Sequence, residues 1–207
     1  MIARTPNWVS ALHPKAIFRI KTEVNGVFLS FDDGPVPGVT DWVLDRLAEH
    51  QAKATFFCLG KQVEKHPDLY QRILDEGHRV GNHSYSHPNG WKTKSSEYLK
   101  DFQRASSFID SDLARAPYGR MKPKQLKKLS KDYRVIFWDV LAADYSDKLG
   151  PKEVVHRVSS SVRPGSIVVL HDSLKAENNL KGALTEILDF LTKNEYQMLP
   201  LPKVEKQ

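Results

Sequence analysis

The sequence predicts a single-domain α/β protein whose parallel sheet is closed or nearly closed. Short apolar segments with strand character alternate along the chain with amphipathic helical segments, and this alternation is typical of parallel sheets. A chain of 207 residues is long enough for one sizeable core. Because no internal repeat or low-complexity linker interrupts the chain, we expect no second domain.

Runs of apolar and β-branched residues predict the strands. The first run includes Val27, Phe28 and Leu29 and follows a loosely patterned N-terminal segment. The pair at 113–114 is a weak strand signal, whereas 133–140 is a strong one. In chain order the predicted strands cover residues 26–30, 55–59, 79–82, 113–114, 133–140, 166–170 and 197–199.

Apolar residues at helical spacing predict the helices that lie between these strands. In the first helix Val43, Leu44 and Leu47 recur on one face, and Gly77 ends the second helix. Ser96 is a candidate cap for the third helix. The predicted helices cover residues 39–51, 67–76, 95–109, 124–130, 152–161 and 180–193.

The charge pattern argues against a nucleic-acid partner. The formal net charge is +6 at pH 7, with lysines densest around residues 122–131 and at the C-terminal end. We interpret these runs as a solvated helix face and an exposed chain end. Neither a basic stripe interleaved with aromatic residues nor a reader motif is visible. Attraction to an acidic polymer or surface stays open as a weaker alternative.

Cysteine usage and hydropathy bear on redox state and location. The single cysteine, Cys58, excludes an intrachain disulfide, and its apolar neighbours predict a buried thiol rather than a nucleophile. No apolar run is long enough to span a bilayer, and the first twenty residues hold no apolar core of a secretory signal. We therefore expect a cytoplasmic protein, although an exported chain whose signal has been removed would read the same way.

Two short segments carry the strongest chemical signal. The adjacent carboxylates Asp32 and Asp33 follow the first strand, and His83 and His87 are separated by three residues after the third. Alone, an Asp pair most often caps a helix or forms a turn, and a single pair of histidines is weak evidence for a metal. Together they supply three ligands of a catalytic metal site with an open position and one spare carboxylate as a base, which indicates a hydrolase.

Further polar residues follow the other predicted strands. Arg115 follows the fourth strand, Asp139 and Asp144 follow the fifth, and His171 follows the sixth. A surface ion pair for Arg115 and a structural role for His171 are the simpler alternatives when each residue is taken alone. Because functional residues of α/β folds collect at the carboxyl ends of the strands, their common placement predicts one shared site.

The order of these segments resembles the polysaccharide deacetylase family with the NodB-homology domain, carbohydrate esterase family four. The segments FDDGP, HSYSH, RAPYG, WDV with an aspartate four residues later, and LHD occur in the family's order between residues 26 and 197. The resemblance implies a distorted (β/α) barrel of about seven parallel strands. On this basis we expect an N-terminal extension packed on the barrel over 1–25, the deacetylase domain over 26–200 and a basic tail over 201–207.

The resemblance also implies a role for each residue of these segments. Asp32 corresponds to the catalytic base and His171 to the general acid, which pairs with Asp144. Arg115 corresponds to the arginine that keeps the base ionised. The implied metal ligands are Asp33, His83 and His87, and the implied substrate-binding residues are Pro117, Tyr118 with its backbone amide at the oxyanion, Tyr145, and Leu170 beside the acetyl methyl group.

The family's activity is removal of N-acetyl groups from chitin-type oligosaccharides or peptidoglycan, or of acetyl esters from xylan, with a divalent metal that is usually zinc. The expected function is therefore metal-dependent N-deacetylation of a glycan by a monomer, with cobalt or nickel as further candidate metals. Two alternatives stay open, an O-acetyl esterase and a glycan-binding pseudoenzyme.

Four positions depart from the family pattern. Ser30 stands before FDDGP in place of the common threonine, and Ala116 replaces a common proline. Leu141 occupies the position of the first aspartate of the family's D-x-x-D-W segment, and Tyr145 replaces its tryptophan. These departures concern the substrate groove more than the metal ligands, the base or the acid.

Overall fold

The structure is a computed structural model that describes residues 3–203. Its strands are β1 Ala16–Ile17, β2 Gly26–Asp32, β3 Thr55–Cys58, β4 Arg79–Asn82, β5 Leu113–Ala114, β6 Arg134–Ile136, β7 Val140–Leu141, β8 Ile167–His171 and β9 Gln197–Met198. Its helices are α1 Asn7–Leu12, α2 Thr40–Glu49, α3 Gly60–Lys65, α4 Pro67–Asp75, α5 Ser95–Ala105, α6 Pro123–Leu129, α7 Pro151–Ser159 and α8 Glu177–Lys193. A 3-10 turn covers Pro117–Gly119.

The strands form one parallel sheet that curves into a half-barrel with helices on its outer face. Eight strands lie in the order β1, β6, β5, β4, β3, β2, β8, β7, and β9 pairs with the beginning of β2. Each of these strand pairs is parallel. The predicted distorted barrel is therefore confirmed, and the strand order contains eight strands because two very short ones join it.

The predicted strand at 133–140 is wrong as a single strand. It divides into β6 and β7, which have different neighbours in the sheet. Between them the amide of Phe137 donates to Ile17 O (2.7 Å), whereas the amide of Asp139 donates to Ile167 O (3.0 Å). The chain therefore passes from the side of β1 to the side of β8. In doing so it spans the gap between the two ends of the half-barrel.

Other local predictions also differ from the structure. The short elements α1, β1 and α3 lie in segments where no element was predicted. The third predicted helix, α5, ends at Ala105 rather than at residue 109, and its N-cap residue is Lys94, so Ser96 is not the cap. Burial explains the longer apolar stripe, because Ile109 lies beyond the helix and still packs in the core.

Successive side chains of each strand point to opposite faces of the sheet, and this divides the core into two layers. On β2, Leu29 and Phe31 face the helices and pack in the main cluster with residues of α2 and α8, whereas Phe28 faces the inside of the half-barrel with Phe57 and Ile136. Asp32 shares the inner face with Phe28. The strand therefore delivers its last side chain into the barrel mouth rather than into the helix layer.

The N-terminal residues contact the barrel at several points. Thr5 N donates to Asp139 O at 2.7 Å, and Ile20 N donates to Gly165 O at 2.9 Å. The strand β1 belongs to the sheet itself, beside β6. The domain boundaries at residues 25 and 200 stay predictions, and residues 204–207 of the predicted tail lie outside the described residues.

Within residues 3–203 no helix is both long and apolar enough to cross a membrane.

Candidate active site

The site lies at the carboxyl ends of four strands. The sheet register places Asp32, the last residue of β2, directly beside His171, the last residue of β8. It also places Asn82 at the end of β4 beside Ala114 at the end of β5. The residues that follow Asn82 and Ala114 in the chain are His83 and Arg115, so parallel pairing alone brings the predicted polar residues to one edge.

Three of the predicted residues form a cluster suited to a metal ion. One ligand atom each of Asp33, His83 and His87 lies within 4.8 Å of the other two. Asp33 Oδ1 is 3.6 Å from His83 Nε2 and 3.2 Å from His87 Nε2. Ligand atoms of a tetrahedral zinc site lie about 3.3 Å apart, given bonds of about 2.0–2.1 Å. The spacing of the three atoms therefore matches a shared cation.

An unsatisfied atom in the same cluster supports this interpretation. Asp33 Oδ1 is buried and has no hydrogen-bond partner in the part of the chain that the structure describes. A buried carboxylate oxygen without a donor is costly, and a cation bound between it and the two imidazoles would remove that cost. The residues present thus fit a divalent metal.

The tautomer of His83 suits a metal ligand. Its Nδ1 lies 3.0 Å from the carbonyl oxygen of Arg115, and because a carbonyl only accepts, Nδ1 carries the proton and Nε2 is free. Burial lowers the pKa of His83 well below its usual value, with the charge of His87 acting in the same direction. Burial also lowers the pKa of His87. Both rings are therefore neutral bases near neutral pH.

The loop that carries the two histidines is held by a carboxylate from α5. Asp101 Oδ1 accepts from the amides of Tyr85 (2.8 Å) and Ser86 (2.9 Å), and Asp101 Oδ2 accepts from Ser86 Oγ (2.7 Å). The loop needs this support because Ser84 and His87 have positive φ values of 69° and 64°. Asp101 thus sets the backbone from which His87 points at Asp33.

Asp32 is paired with the buried guanidinium of Arg115. Asp32 Oδ1 accepts from Arg115 Nη1 at 2.6 Å, and the same nitrogen donates to Ser30 Oγ at 2.8 Å. The guanidinium lies 3.9 Å from the ring centroid of Phe57, and Arg115 Nη2 donates to Phe137 O at 3.2 Å. Arginine stays charged in proteins, so the Asp32 carboxylate has a buried cationic partner. The serine at position 30 supplies the hydroxyl that the common threonine would supply.

His171 is paired with Asp144. Its Nδ1 donates to Asp144 Oδ1 at 2.8 Å, and its backbone amide donates to Asp144 Oδ2 at 2.7 Å. Burial by itself lowers the pKa of His171, but the charge and hydrogen bond of Asp144, together with the charges of Asp32 and Asp33, outweigh it and raise the pKa to about 9. The imidazole is therefore a protonated acid near neutral pH.

A cleft of about 570 Å³ opens over these groups. The 3-10 turn begins at the buried Pro117 and holds Tyr118, with φ of 59°, at the cleft wall. Pro117, a predicted substrate-binding residue, is itself buried and is not among the residues that line the cleft. Tyr145 stands edge-on to the ring of His171, with centroids 4.9 Å apart. Besides the aspartates and histidines already described, the cleft is lined by Tyr118, Gly119, Arg120, Trp138, Leu141, Tyr145, Val169, Ser173 and Lys175.

The predicted contact of Leu170 with the acetyl group is wrong. Leu170 is fully buried in the hydrophobic cluster on the helix side of the sheet. Successive side chains of a strand point to opposite faces, and because His171 faces the site, Val169 faces it too and Leu170 faces away. Val169 and Leu141 are the aliphatic residues that line the cleft.

A second supporting carboxylate is Asp172, which directly follows His171 and for which the sequence predicted no separate role. Asp172 is buried; its Oδ2 accepts from Thr40 Oγ1 at 2.6 Å, and its Oδ1 accepts from Gly34 N at 3.1 Å. A Cβ on Gly34 would lie 1.9 Å from Asp172 Oδ2, so only glycine fits there. Asp172 thereby fixes the turn that carries Asp33. The sequence offered one signal for it, the LHD segment itself.

Comparisons with known proteins agree with this geometry. A sequence model of the family described as polysaccharide deacetylase matches residues 19–135. The peptidoglycan-N-acetylmuramic acid deacetylase PdaC of Bacillus subtilis (strain 168) is 33% identical over 186 residues, which are 87% of this chain and 38% of PdaC. A chitooligosaccharide deacetylase of Rhizobium leguminosarum bv. trifolii is 34% identical over 170 residues, 79% of each chain.

A solved structure extends the agreement to the whole fold. The crystal structure of the Bc1960 peptidoglycan N-acetylglucosamine deacetylase, in complex with 4-naphthalen-1-yl-N-oxidanyl-benzamide, superposes with a TM-score of 0.86 at 30% identity. The match covers 96% of this chain and 95% of that one. The family predicted from the five short segments is therefore confirmed: the chain belongs to the polysaccharide deacetylase family.

Proposed function

We propose that the protein is a metal-dependent hydrolase that removes N-acetyl groups from glycans containing N-acetylglucosamine, of the chitooligosaccharide or peptidoglycan type. The observation that carries the proposal is one cleft that holds a candidate metal cluster, a carboxylate paired with an arginine, and a protonated imidazole. Asp33 belongs to the cluster, Asp32 stands on the Arg115 side, and His171 stands on the Asp144 side. A metal site, a general base and a general acid can together hydrolyse an amide.

Asp33, His83 and His87 would hold the cation. Two imidazole nitrogens and a carboxylate oxygen leave a fourth tetrahedral position open, which is typical of catalytic zinc, and cobalt or nickel would suit the same donors. A divalent cation bound there polarises an amide carbonyl and lowers the pKa of water.

Asp32 acts as the general base. Its carboxylate is held by Arg115 through Oδ1, and its Oδ2 lies 3.9 Å from His83 Nε2, on the side that faces the metal cluster. It is therefore placed to accept a proton from the water that attacks the acetyl carbon. Because Asp33 serves the cation, the two adjacent carboxylates have separate tasks.

His171 acts as the general acid. An amide nitrogen is a poor leaving group until it is protonated, and the raised pKa of about 9 keeps a proton on His171 near neutral pH. When the bond between the acetyl carbon and the nitrogen breaks, the proton passes from His171 to the nitrogen, and acetate and a free amino sugar result. An ester would need less help from this acid, so the His171–Asp144 pair favours N-deacetylation over the esterase alternative.

The remaining cleft residues bind the acetylated sugar. The backbone amide of Tyr118 contributes a hydrogen bond to the carbonyl oxygen as it gains charge. Val169 and Leu141 form the apolar surface for the acetyl methyl group, and Tyr145 packs against the sugar ring. The monomeric state and cytoplasmic location predicted from the sequence stay predictions.

Acetate release from N-acetylchitotetraose tests the proposal. We expect the zinc-loaded protein to release acetate, the chelated protein to lose this activity, and added zinc to restore it. Asp32→Asn, which keeps the shape of the side chain, should reduce kcat by about 10²–10⁴-fold and leave zinc binding intact. No metal-dependent acetate from any acetylated glycan would contradict the proposal and favour the pseudoenzyme alternative.

A further inference from the structure

We infer that the cleft takes a glycan that carries carboxylate groups next to the acetylated sugar, and that Arg120 and Lys175 are the specificity-determining residues that bind those carboxylates. The inference rests on the proposed function and names the substrate class of the same site. The carboxylates could belong to a lactyl ether on the sugar ring or to a peptide attached to it, and the experiment below separates these sources.

The first observation is positive charge in the cleft that the site's own acids do not neutralise. Arg120 and Lys175 are exposed and line the cleft, and neither pairs with a carboxylate among residues 3–203. Asp32 already pairs with Arg115 at 2.6 Å and Asp144 with His171 at 2.8 Å. The two cations therefore face the space that the substrate would occupy, without a partner of opposite charge.

The second observation is that Arg120 is held in place. Its guanidinium lies 5.1 Å from the ring centroid of Trp91, and Trp91 Nε1 donates to Met121 O at 3.3 Å. The residue before Arg120, Gly119, packs against Trp138 so closely that a Cβ there would lie 2.4 Å from the indole, which fixes the backbone of the turn. A guanidinium that lies against an indole and extends from a fixed turn has less conformational freedom to lose on binding than a solvated surface arginine has.

Lys175 places a second cation in the cleft. Its ammonium lies 5.7 Å from the ring centroid of Tyr145, the wall beside His171. Lys175 also lines an adjoining cleft of about 320 Å³, together with Lys61 and Leu174. Positive charge therefore lies in both clefts beside the catalytic groups, which suits a chain with repeated acidic groups.

The chemistry of the two side chains selects carboxylates over neutral sugars. The planar fork of a guanidinium matches the two oxygens of a carboxylate, whereas hydroxyl groups use it less well. A neutral chitin-type oligosaccharide would leave both cations facing water. The chain carries 31 lysines and arginines in total; what distinguishes Arg120 from an ordinary surface cation is its fixed place in the cleft.

Three matched substrates test the inference. The first is an oligosaccharide of N-acetylglucosamine and N-acetylmuramic acid with free lactyl carboxylates, the second is the same oligosaccharide with those carboxylates amidated, and the third carries the peptide. We expect KM for the free acid to be about five- to tenfold lower than for the amide, the size of one or two partly exposed ion pairs. A preference for the third substrate alone would assign the carboxylates to the peptide.

Two variants identify the residues responsible. Arg120→Gln and Lys175→Gln should each reduce the ratio of free-acid to amide kcat/KM, mainly through KM. The matched control is Arg19→Gln, an exposed arginine near the amino ends of the strands, which should leave the ratio and the activity unchanged. The preference should also disappear at about 1 M salt, where the Debye length is about 3 Å.

Equal kcat/KM for all three substrates, or a ratio that the two variants leave unchanged, would overturn the inference. Its failure can be told apart from failure of the proposed function by calorimetric binding to the zinc-loaded Asp32→Asn variant, which measures affinity without turnover. Tighter binding of the free acid than of the amide there supports the carboxylate site even if no acetate is ever released, and equal binding removes it.

Discussion

At the residue scale, the backbone between two adjacent aspartates turns their carboxylates towards different partners. Asp32 is still part of β2, so its side chain points into the barrel mouth, where Arg115 holds it. Asp33 has left the strand with φ of 84°, which turns its carboxylate towards the two histidines. A left-handed conformation is unfavourable for an aspartate, and here the supporting contacts of Gly34 with Asp172 maintain it.

The His171–Asp144 pair predicts the alkaline limit of activity. The acid must be protonated to act, so kcat falls as pH rises through the pKa of His171, which Asp144 holds at about 9. In Asp144→Asn the charge that opposes burial is lost, and the pKa falls. We expect the alkaline limb of the kcat profile of the zinc-loaded enzyme to shift to lower pH, with a greater loss at about pH 8 than at about pH 6. An unchanged limb would show that another group sets it.

At the element scale, the alternation of β8 separates stability from substrate binding. Leu170→Ala removes a fully buried side chain from the helix side of the sheet, so we expect a loss of about 2–5 kcal/mol in the free energy of unfolding. Its KM should stay near the wild-type value, because the side chain points away from the cleft. Val169→Ala should instead raise KM for acetylated substrate. Denaturant titration and initial rates on both variants measure this, and a larger KM change in Leu170→Ala would reverse the assignment.

The helix α5 contributes to the metal site without a ligand of its own. Asp101→Asn replaces one acceptor oxygen of the three-bond contact with the histidine loop, and we expect zinc affinity to fall about 10–100-fold, the range for groups that orient metal ligands. Competition with a chromophoric chelator measures the affinity directly. Glu97→Gln on the same helix is the control, since Glu97 is exposed and pairs only loosely with Lys94 at 3.9 Å. Equal zinc affinity in Asp101→Asn and wild type would show that Asp101 does not orient the metal-binding loop.

At the scale of the whole molecule, the grouping of the candidate catalytic residues was predictable because parallel pairing places all carboxyl ends at one edge. Residues that directly follow apolar strands, such as Asp33, His83 and His171, could therefore be assigned to one site from local patterns. The groups that orient them could not. Asp101 lies mid-helix among other charged residues, and nothing in its spacing shows that a loop 15 residues earlier returns to it.

The division of residues 133–140 shows a second limit of sequence patterns. An apolar run reports burial, and both β6 and β7 are buried, but the run carries no information on which neighbours it pairs with. Pairing is decided by closure of the barrel, which is a property of the complete sheet. The error over Leu170 has the same origin, since the motif identified the strand and only the observed alternation showed which side chain faces the cleft.

The pH dependence of stability is expected to centre on a histidine far from the cleft. His78 is buried before β4; its Nδ1 accepts from Ala54 N at 3.2 Å, and its Nε2 has no hydrogen-bond partner within the described residues. Burial, followed by the charges of Lys53 and Arg72, lowers the pKa of His78 to about 4. The neutral ring thus joins the beginnings of β3 and β4, and a proton on it would be unfavourable.

The sign of the effect follows from the two pKa values. The pKa of His78 in the folded protein lies below the value of about 6.5 in the unfolded chain, so its contribution is fully present above about pH 6.5 and is lost as pH falls towards 4, by about 3 kcal/mol. In His78→Asn the amide oxygen replaces Nδ1 as the acceptor and does not titrate. We expect this variant to be less stable at pH 7, because the ring leaves a cavity, but to lose less stability on acidification. Urea titrations on both proteins at about pH 7 and 4.5 measure the free energy of unfolding. Because both proteins contain the same carboxylates, the difference between their losses is due to His78. Parallel losses in the two proteins would show that acid unfolding is governed by other groups.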